Sequence, residues 1–293
     1  MKIVTFKDKS QPRNYRIGAL VSKSEILDLT PLVSNESLNA AEIAKCFDLE
    51  TDFLEKAKQA IEKGELPKTN RAEIEICAPV PLPGKIICIG LNYLDHAKES
   101  GAEIPKSPII FSKFSACAIG ADEAITLPKA SEQVDYEAEF AFIVGRRAKN
   151  VSAANAMHYV FGYTNFNDVS ARDFQFADGQ WVRGKSCDTF APMGEYAVTK
   201  DEIADPHDLN IQFRLNGETL QNSNTKELIF KIPELIEFLS ASITLEPGDV
   251  VATGTPPGVG FARKPPVFLK DGDVAEVEIE GLGVLINKVK KDE

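Results

Sequence analysis

The chain has 293 residues, 43% of them hydrophobic and 26% charged, with a formal net charge of −11. That composition describes a globular protein with a sizeable core, and the acidic balance argues against a nucleic-acid partner, which needs a basic face. No apolar run approaches the length of a membrane span, and the first residues, "MKIVTFKDKS", read as a strand and not as a signal peptide. The five cysteines are scattered without a C-x-x-C pair, which suits reduced thiols, and the expected compartment is cytoplasmic.

The predicted elements begin with short strands at "KIVTF", "YRIGALV" and "EILDLT", followed by helical spacing in "NAAEIAKCF" and "TDFLEKAKQAIEKG", where Gly64 is a fitting stop. A strand, "EIEICAPV", leads into "PVPLPG", a Pro/Gly stretch that marks a boundary near 79–84. The expected division is a small N-terminal α+β domain over 1–80 and a catalytic domain over 81–293. The second part opens with a buried strand, "KIICIG", and a short helical stretch, "NYLDHAKESG". Further strands are predicted at "PIIFSKF", "EAEFAFIVG", "YVFGYTNFND", "EYAVT", "NIQFRLNG", "DVVATG" and "DVAEVEIEG", with helices at 153–159 and 231–241. Strands do not alternate regularly with long helices. The fold class is therefore α+β and β-rich, not a doubly wound parallel sheet.

One strand stands out. In "QVDYEAEFAFIVG" the residues Phe140, Phe142 and Val144 alternate on one face, while Glu137 and Glu139, with Asp135 before them, hold the other. Side chains two apart on a strand share a face about 6.8 Å apart. Acids on a wet strand face are common, so this pattern alone does not make a site. The next segment adds to it: "FGYTNFNDVSARD" brings Asp168 to a strand end before a polar turn. Glu137, Glu139 and Asp168 without a convergent His or Cys would form an all-oxygen site suited to Mg²⁺, Mn²⁺ or Ca²⁺. Lys113, Arg172 and Lys185 are ordinary surface charges on the bland reading; on the sharper one they bind the carboxylate of an anionic substrate. His96 and Glu99, three apart in "GLNYLDHAKES", can share a water as a general base, although such pairs are more often surface helical contacts. "TGTPPGVG" lacks the phosphate-loop pattern, and its two prolines remove amide donors; a tight loop placing Thr255 in a pocket fits better.

Five blocks, "GLNYLDHAKE", "DYEAEFAFIVG", "NDVSARDFQ", "GKSCDTFAPMG" and "TGTPPGVG", occur in the order seen in the fumarylacetoacetate hydrolase family, which the chain resembles over about residues 85–290. The tail "RKPPVFLKDGDVAEVEIEGLGVLINKV" and "VTKDEIADPHDL" look most like the branch called fumarylacetoacetate hydrolase domain-containing protein two. The resemblance implies a mixed β-roll catalytic domain, a small N-terminal domain and a homodimer. It implies Mg²⁺ or Mn²⁺ on Glu137, Glu139 and Asp168, a water-activating dyad of His96 and Glu99 on a lid, and a catalytic Lys185. Substrate contacts fall on Lys113, Arg172, Gln175 and Thr255; Phe114 departs from the proline many relatives carry after the lysine. The implied substrate is a small anionic 2-oxo acid whose enolate the metal stabilises. Hydrolysis of a carbon–carbon bond in an acylpyruvate is the first expectation. Tautomerisation or decarboxylation of oxaloacetate is the alternative, and a catalytically silent metal-binding scaffold is the third.

Overall fold

A computed structural model describes residues 1–8 and 14–292. The architecture is β-rich, as the alternation predicts. The main sheet has eleven strands, running in order 68–70, 25–28, 15–20, 2–8, 197–199, 160–167, 138–144, 250–252, 86–90 and 109–113, with 74–76 pairing beside 2–8. Its pairs are antiparallel except that Val250–Ala252 runs parallel to Ile86–Gly90, so the sheet is mixed. The N-terminal strands continue this sheet through the pairing of Lys2–Asp8 with Ala197–Thr199. A second, five-stranded sheet carries strands 218–224, 210–215, 274–279, 283–291 and 125–127 in that order.

Strand Ala138–Val144 lies between Val160–Asn167 and Val250–Ala252, and all seven of its residues are buried. Both of its faces are covered. Phe140, Phe142 and Val144 join Tyr163, Phe213 and Val277 in the core between the two sheets. Ala141 and Ile143 point the other way, into a core shared with Phe47, Phe53 and Ala57 from the helical segments Ala40–Lys45 and Phe53–Lys63 and the turn between them. The face that begins with Glu137 and Glu139 is therefore apolar farther along, and it is not the wet face that strand acids usually mark.

The predicted helix over 231–241 forms as Ile232–Ser242, and 153–159 forms a 3₁₀ helix. The polar turn expected after Asp168 instead holds two short helices, Arg172–Ala177 and Val182–Lys185. No helix among the described residues is long and apolar enough to cross a membrane. All five cysteines are free, four of them buried.

His207 supports the start of the helix Ile232–Ser242: its Nε2 accepts the Ile232 N–H at 3.3 Å. Burial and the nearby Lys231 push its pKa below the usual 6.5, against the opposing pull of Asp205 and Glu234. Only the neutral ring can accept that bond. Its contribution is complete above 6.5 and is lost as the pH falls below that unfolded value toward the lower folded one. Wild-type protein should therefore lose more melting temperature than His207→Gln between about pH 7 and about pH 5. Equal losses measured by thermal denaturation would remove His207 from the acid response.

Candidate active site

The acid strand is interrupted just before the site. Val134–Asp135 pairs with Ser170–Ala171 in a separate two-stranded sheet, and the long strand starts only at Ala138. This break separates Asp135 from the other two acids. Its carboxylate accepts hydrogen bonds from Arg172 Nε at 2.9 Å, Gly260 N at 2.7 Å and Phe261 N at 3.0 Å. Glu137 and Glu139 share a face and meet Asp168, which follows directly on the strand Val160–Asn167. One carboxylate oxygen from each of the three lies within 4.8 Å of the others, and all three residues are buried.

Three cations surround these acids. Lys185 Nζ bonds Glu137 at 2.9 Å and Asp168 at 2.7 Å. Arg172 reaches Glu137 Oε1 at 2.6 Å. Lys113 donates to the other Asp168 oxygen and to the Val169 carbonyl at 3.0 Å. Burial alone would raise the Glu137 carboxyl, but Lys185 and Arg172 hold it at about 2. Burial would likewise lower the Lys185 ammonium, and Asp168 with Glu137 keep it above its usual value. Glu139 is different. It accepts the Gly254 N–H at 2.9 Å and has no ion-pair partner among the described residues. Burial, then the charges of Asp168 and Glu137, push it well above the ordinary carboxylate range.

Local backbone explains how these groups meet. Helix Val182–Lys185 packs on helix Arg172–Ala177 at Gly184, where a Cβ would lie 2.6 Å from Gln175 N. Only glycine lets the helix bearing Lys185 approach the helix bearing Arg172 so closely. The "TGTPPGVG" loop holds no phosphate pattern, but its amides do receive anions, namely the protein's own carboxylates. Gly254 donates to Glu139, Gly258 to Glu99 at 3.2 Å and Gly260 to Asp135. Gly254 does so at a φ of +104°, a conformation that side chains disfavour.

A cavity of about 520 Å³ opens onto Glu137 and Glu139. His96, Arg172, Gln175, Lys185 and Thr255 line it too, so the fold brings most of the expected site residues together. The dyad sits on the helix Leu94–Ser100: His96 Nδ1 lies 3.3 Å from Glu99 Oε2, which leaves Nε2 as the free ring nitrogen. Gln175 accepts from Arg172 at 2.9 Å through its oxygen, which leaves its amide NH₂ for a ligand. Thr255 donates to Ala138 O at 2.9 Å and accepts from Gln221 at 2.8 Å. Lys113 does not line this cavity. Its side chain is fully buried against Asp168 and Val169, so it positions a carboxylate and is not placed to touch substrate. The exposed Phe114, in place of proline, keeps an N–H that donates to Ser186 Oγ at 3.0 Å, beside Lys185.

Sequence reasoning missed Asp135 as a counter-ion and the aromatic residues Phe111, Phe176, Trp181 and Phe261 in the cavity wall. The donor set itself fits a hard divalent cation: three buried carboxylates, oxygen ligands only, one of them without a cationic partner. Four acids (Asp135, Glu137, Glu139, Asp168) face three cations (Lys113, Arg172, Lys185), so the cluster is one positive charge short when all are ionised.

Residues 85–290 match the family model described as fumarylacetoacetate (FAA) hydrolase C-terminal. The chain is 50% identical over 244 residues to "Oxaloacetate tautomerase Fahd2a, mitochondrial" of Rattus norvegicus, covering 81% of this chain and 78% of that one. It is 45% identical over 298 residues to "Oxaloacetate tautomerase fahd2, mitochondrial" of Xenopus laevis, covering 99% and 90%. Among solved structures, a fumarylacetoacetate hydrolase from Exiguobacterium antarcticum superposes with a TM-score of 0.83 at 36% identity, both chains covered in full. Maleylpyruvate hydrolase from Sphingobium sp. SYK-6, solved with manganese(II) and pyruvate, superposes at 0.82 with 30% identity and the same full coverage. The relatives' names correct one expectation: they are mitochondrial proteins, which overturns the cytoplasmic assignment made from the cysteines and the N-terminal residues.

Removing one partner of a buried ion pair leaves an uncompensated charge and costs about 3–5 kcal/mol, whereas an exposed pair contributes about 0–1 kcal/mol. Lys113→Met should therefore destabilise the protein by about 3–5 kcal/mol. Lys58→Met, which breaks the half-exposed pair with Asp201, should cost less than about 1 kcal/mol. Urea unfolding of both variants checks this, and a Lys113→Met loss as small as that of Lys58→Met would contradict the structural role.

Proposed function

The chain belongs to the fumarylacetoacetate hydrolase family, and on that footing we propose that it is a divalent-metal-dependent enzyme interconverting the enol and keto forms of oxaloacetate. The observation that carries the choice is the oxaloacetate tautomerase activity named for relatives aligned with 81% and 99% of the chain. The sequence ranks carbon–carbon hydrolysis first; these relatives reverse that order. Hydrolysis of an acylpyruvate is the second reading, favoured by the maleylpyruvate hydrolase structure with manganese(II) and pyruvate.

In this reading Glu137, Glu139 and Asp168 hold one Mg²⁺ or Mn²⁺. When bound, such a cation acts as a Lewis acid toward the keto oxygen of a 2-oxo acid and favours enolate character. The chain's own residues do the rest. Arg172 and Lys185 fix Glu137, and Gln175 offers its amide NH₂ to a substrate carboxylate. Going from enol to keto, the enol O–H gives up its proton and C3 gains one. In this reading His96 delivers that proton to carbon as a general acid and recovers one afterwards; its Nδ1 contact with Glu99 and free Nε2 at the cavity support the role. Glu99 orients the ring and is itself tied to the loop by the Gly258 amide. The proton count closes, and no water has to attack any bond.

Purified protein with Mg²⁺ should speed the loss of the ultraviolet absorbance of enol-oxaloacetate, and EDTA should abolish the effect. His96→Ala should lower the rate by about 10²–10⁴. An acylpyruvate should remain uncleaved when products are followed by NMR. Cleavage of the acylpyruvate without acceleration of the enol–keto exchange would overturn this reading in favour of the hydrolase.

A further inference from the structure

The acids and the dyad account for only one side of the cavity. Its two cations are both engaged by carboxylates, Arg172 with Asp135 and Glu137, Lys185 with Glu137 and Asp168. Beyond them the lining includes four aromatic rings, Phe111, Phe176, Trp181 and Phe261. Lys185 Nζ lies 5.0 Å from the centre of the Phe111 ring, and the Arg172 guanidinium lies 4.4 Å from that of Phe261. Each ring then meets a second one edge-on, Phe111 with Trp181 at 5.4 Å and Phe261 with Phe176 at 5.7 Å. Two aromatic pairs, each anchored on a site cation, thus run from the acid cluster to the surface, where Phe176 is 62% and Trp181 37% exposed. Trp181 also rests against Gly90, where a Cβ would come within 3.1 Å of its ring, so its position is fixed by packing.

Large apolar side chains left this open to water in a concave site point to a ligand that covers them. A four-carbon diacid does not cover them: its charged ends belong with the acid-side groups, and the cavity of about 520 Å³ lies in the range that accepts much larger ligands. Resting on the enol–keto reading above, we infer that Trp181, Phe176 and Phe261 form an apolar subsite for an aryl substituent on C3 of a 2-oxo acid. The substrate class then includes arylpyruvates. The chemistry is unchanged: the enol O–H loses a proton, C3 gains one, and the aryl group attached to C3 packs edge-on or offset against the aromatic wall.

The test follows ketonisation of enol-phenylpyruvate and of enol-oxaloacetate by absorbance, with Mg²⁺, on wild type, Trp181→Ala and Phe176→Ala. Wild type should accelerate both. In each variant the ratio of kcat/KM for phenylpyruvate to that for oxaloacetate should fall about tenfold or more, the scale on which hydrophobic pockets discriminate. A ratio taken within one preparation does not depend on how much of it is folded. Turnover of oxaloacetate alone, or a ratio unmoved in both variants, overturns the subsite and leaves the enol–keto reading standing. Turnover of neither compound overturns that reading and the subsite with it.

Discussion

Four carboxylates and three cations share one buried volume, and the carboxylate left without a cationic partner among the described residues is Glu139. Burying charges is expensive unless each is paired and hydrogen-bonded, so the surrounding structure is organised around that requirement. Strand Ala138–Val144 is covered on both faces, which buries Glu139 everywhere except where the cavity reaches it. The glycine-rich loop turns its amides inward onto Glu139 and Asp135. Gly184 lets two short helices touch, so Arg172 and Lys185 arrive together beside Glu137. Lys113 closes the far side of Asp168. Replacing the whole cluster by apolar residues could serve stability equally well.

The site divides into a floor and a cover of different construction. The acids stand on or directly beside central strands of an eleven-stranded sheet, where their positions are set by strand pairing on both sides. The dyad rides on a seven-residue helix held by side-chain contacts: Asp95 with Ser223 at 2.5 Å, Glu99 with Gly258, and, just before the helix, Asn92 with Phe230 and Thr253. A rigid floor preorganises the charge-stabilising groups, which is where precise placement contributes most to rate. In the proposed enol–keto reaction the cover needs only to bring one imidazole nitrogen to the cavity, and the Glu99 contact with Nδ1 leaves that nitrogen as Nε2.

Much of this was legible in the sequence because it rests on local periodicity. The period of two put Glu137 and Glu139 on one face; the spacing of three put His96 and Glu99 on one helical turn; the end of "FGYTNFND" put Asp168 at a strand terminus. What escaped depends on chain segments far apart. Asp135 has the same parity as the glutamates, yet a strand break turns it to Arg172, and parity cannot report a break. Lys113 read as a substrate contact, since nothing local reveals that its partner is Asp168, 55 positions away. Phe176, Trp181 and Phe261 carry no local signal that separates them from core aromatics, since aromatic residues ordinarily go to the core. The helical spacing of Arg172 and Gln175 was present in "SARDFQFA", but the polar residues around it suggested a turn.

The proposed chemistry depends most directly on Glu137, Glu139 and Asp168 holding one divalent ion. Crystals grown with Mn²⁺ and measured at a wavelength near its absorption edge test it by anomalous scattering. A single strong anomalous peak in contact with the carboxylates of Glu137, Glu139 and Asp168, at about 2.0–2.2 Å from their oxygens, is the predicted result. Manganese bound only to exposed surface acids, with Glu139 still bonded to Gly254 and no density between the three carboxylates, would contradict it.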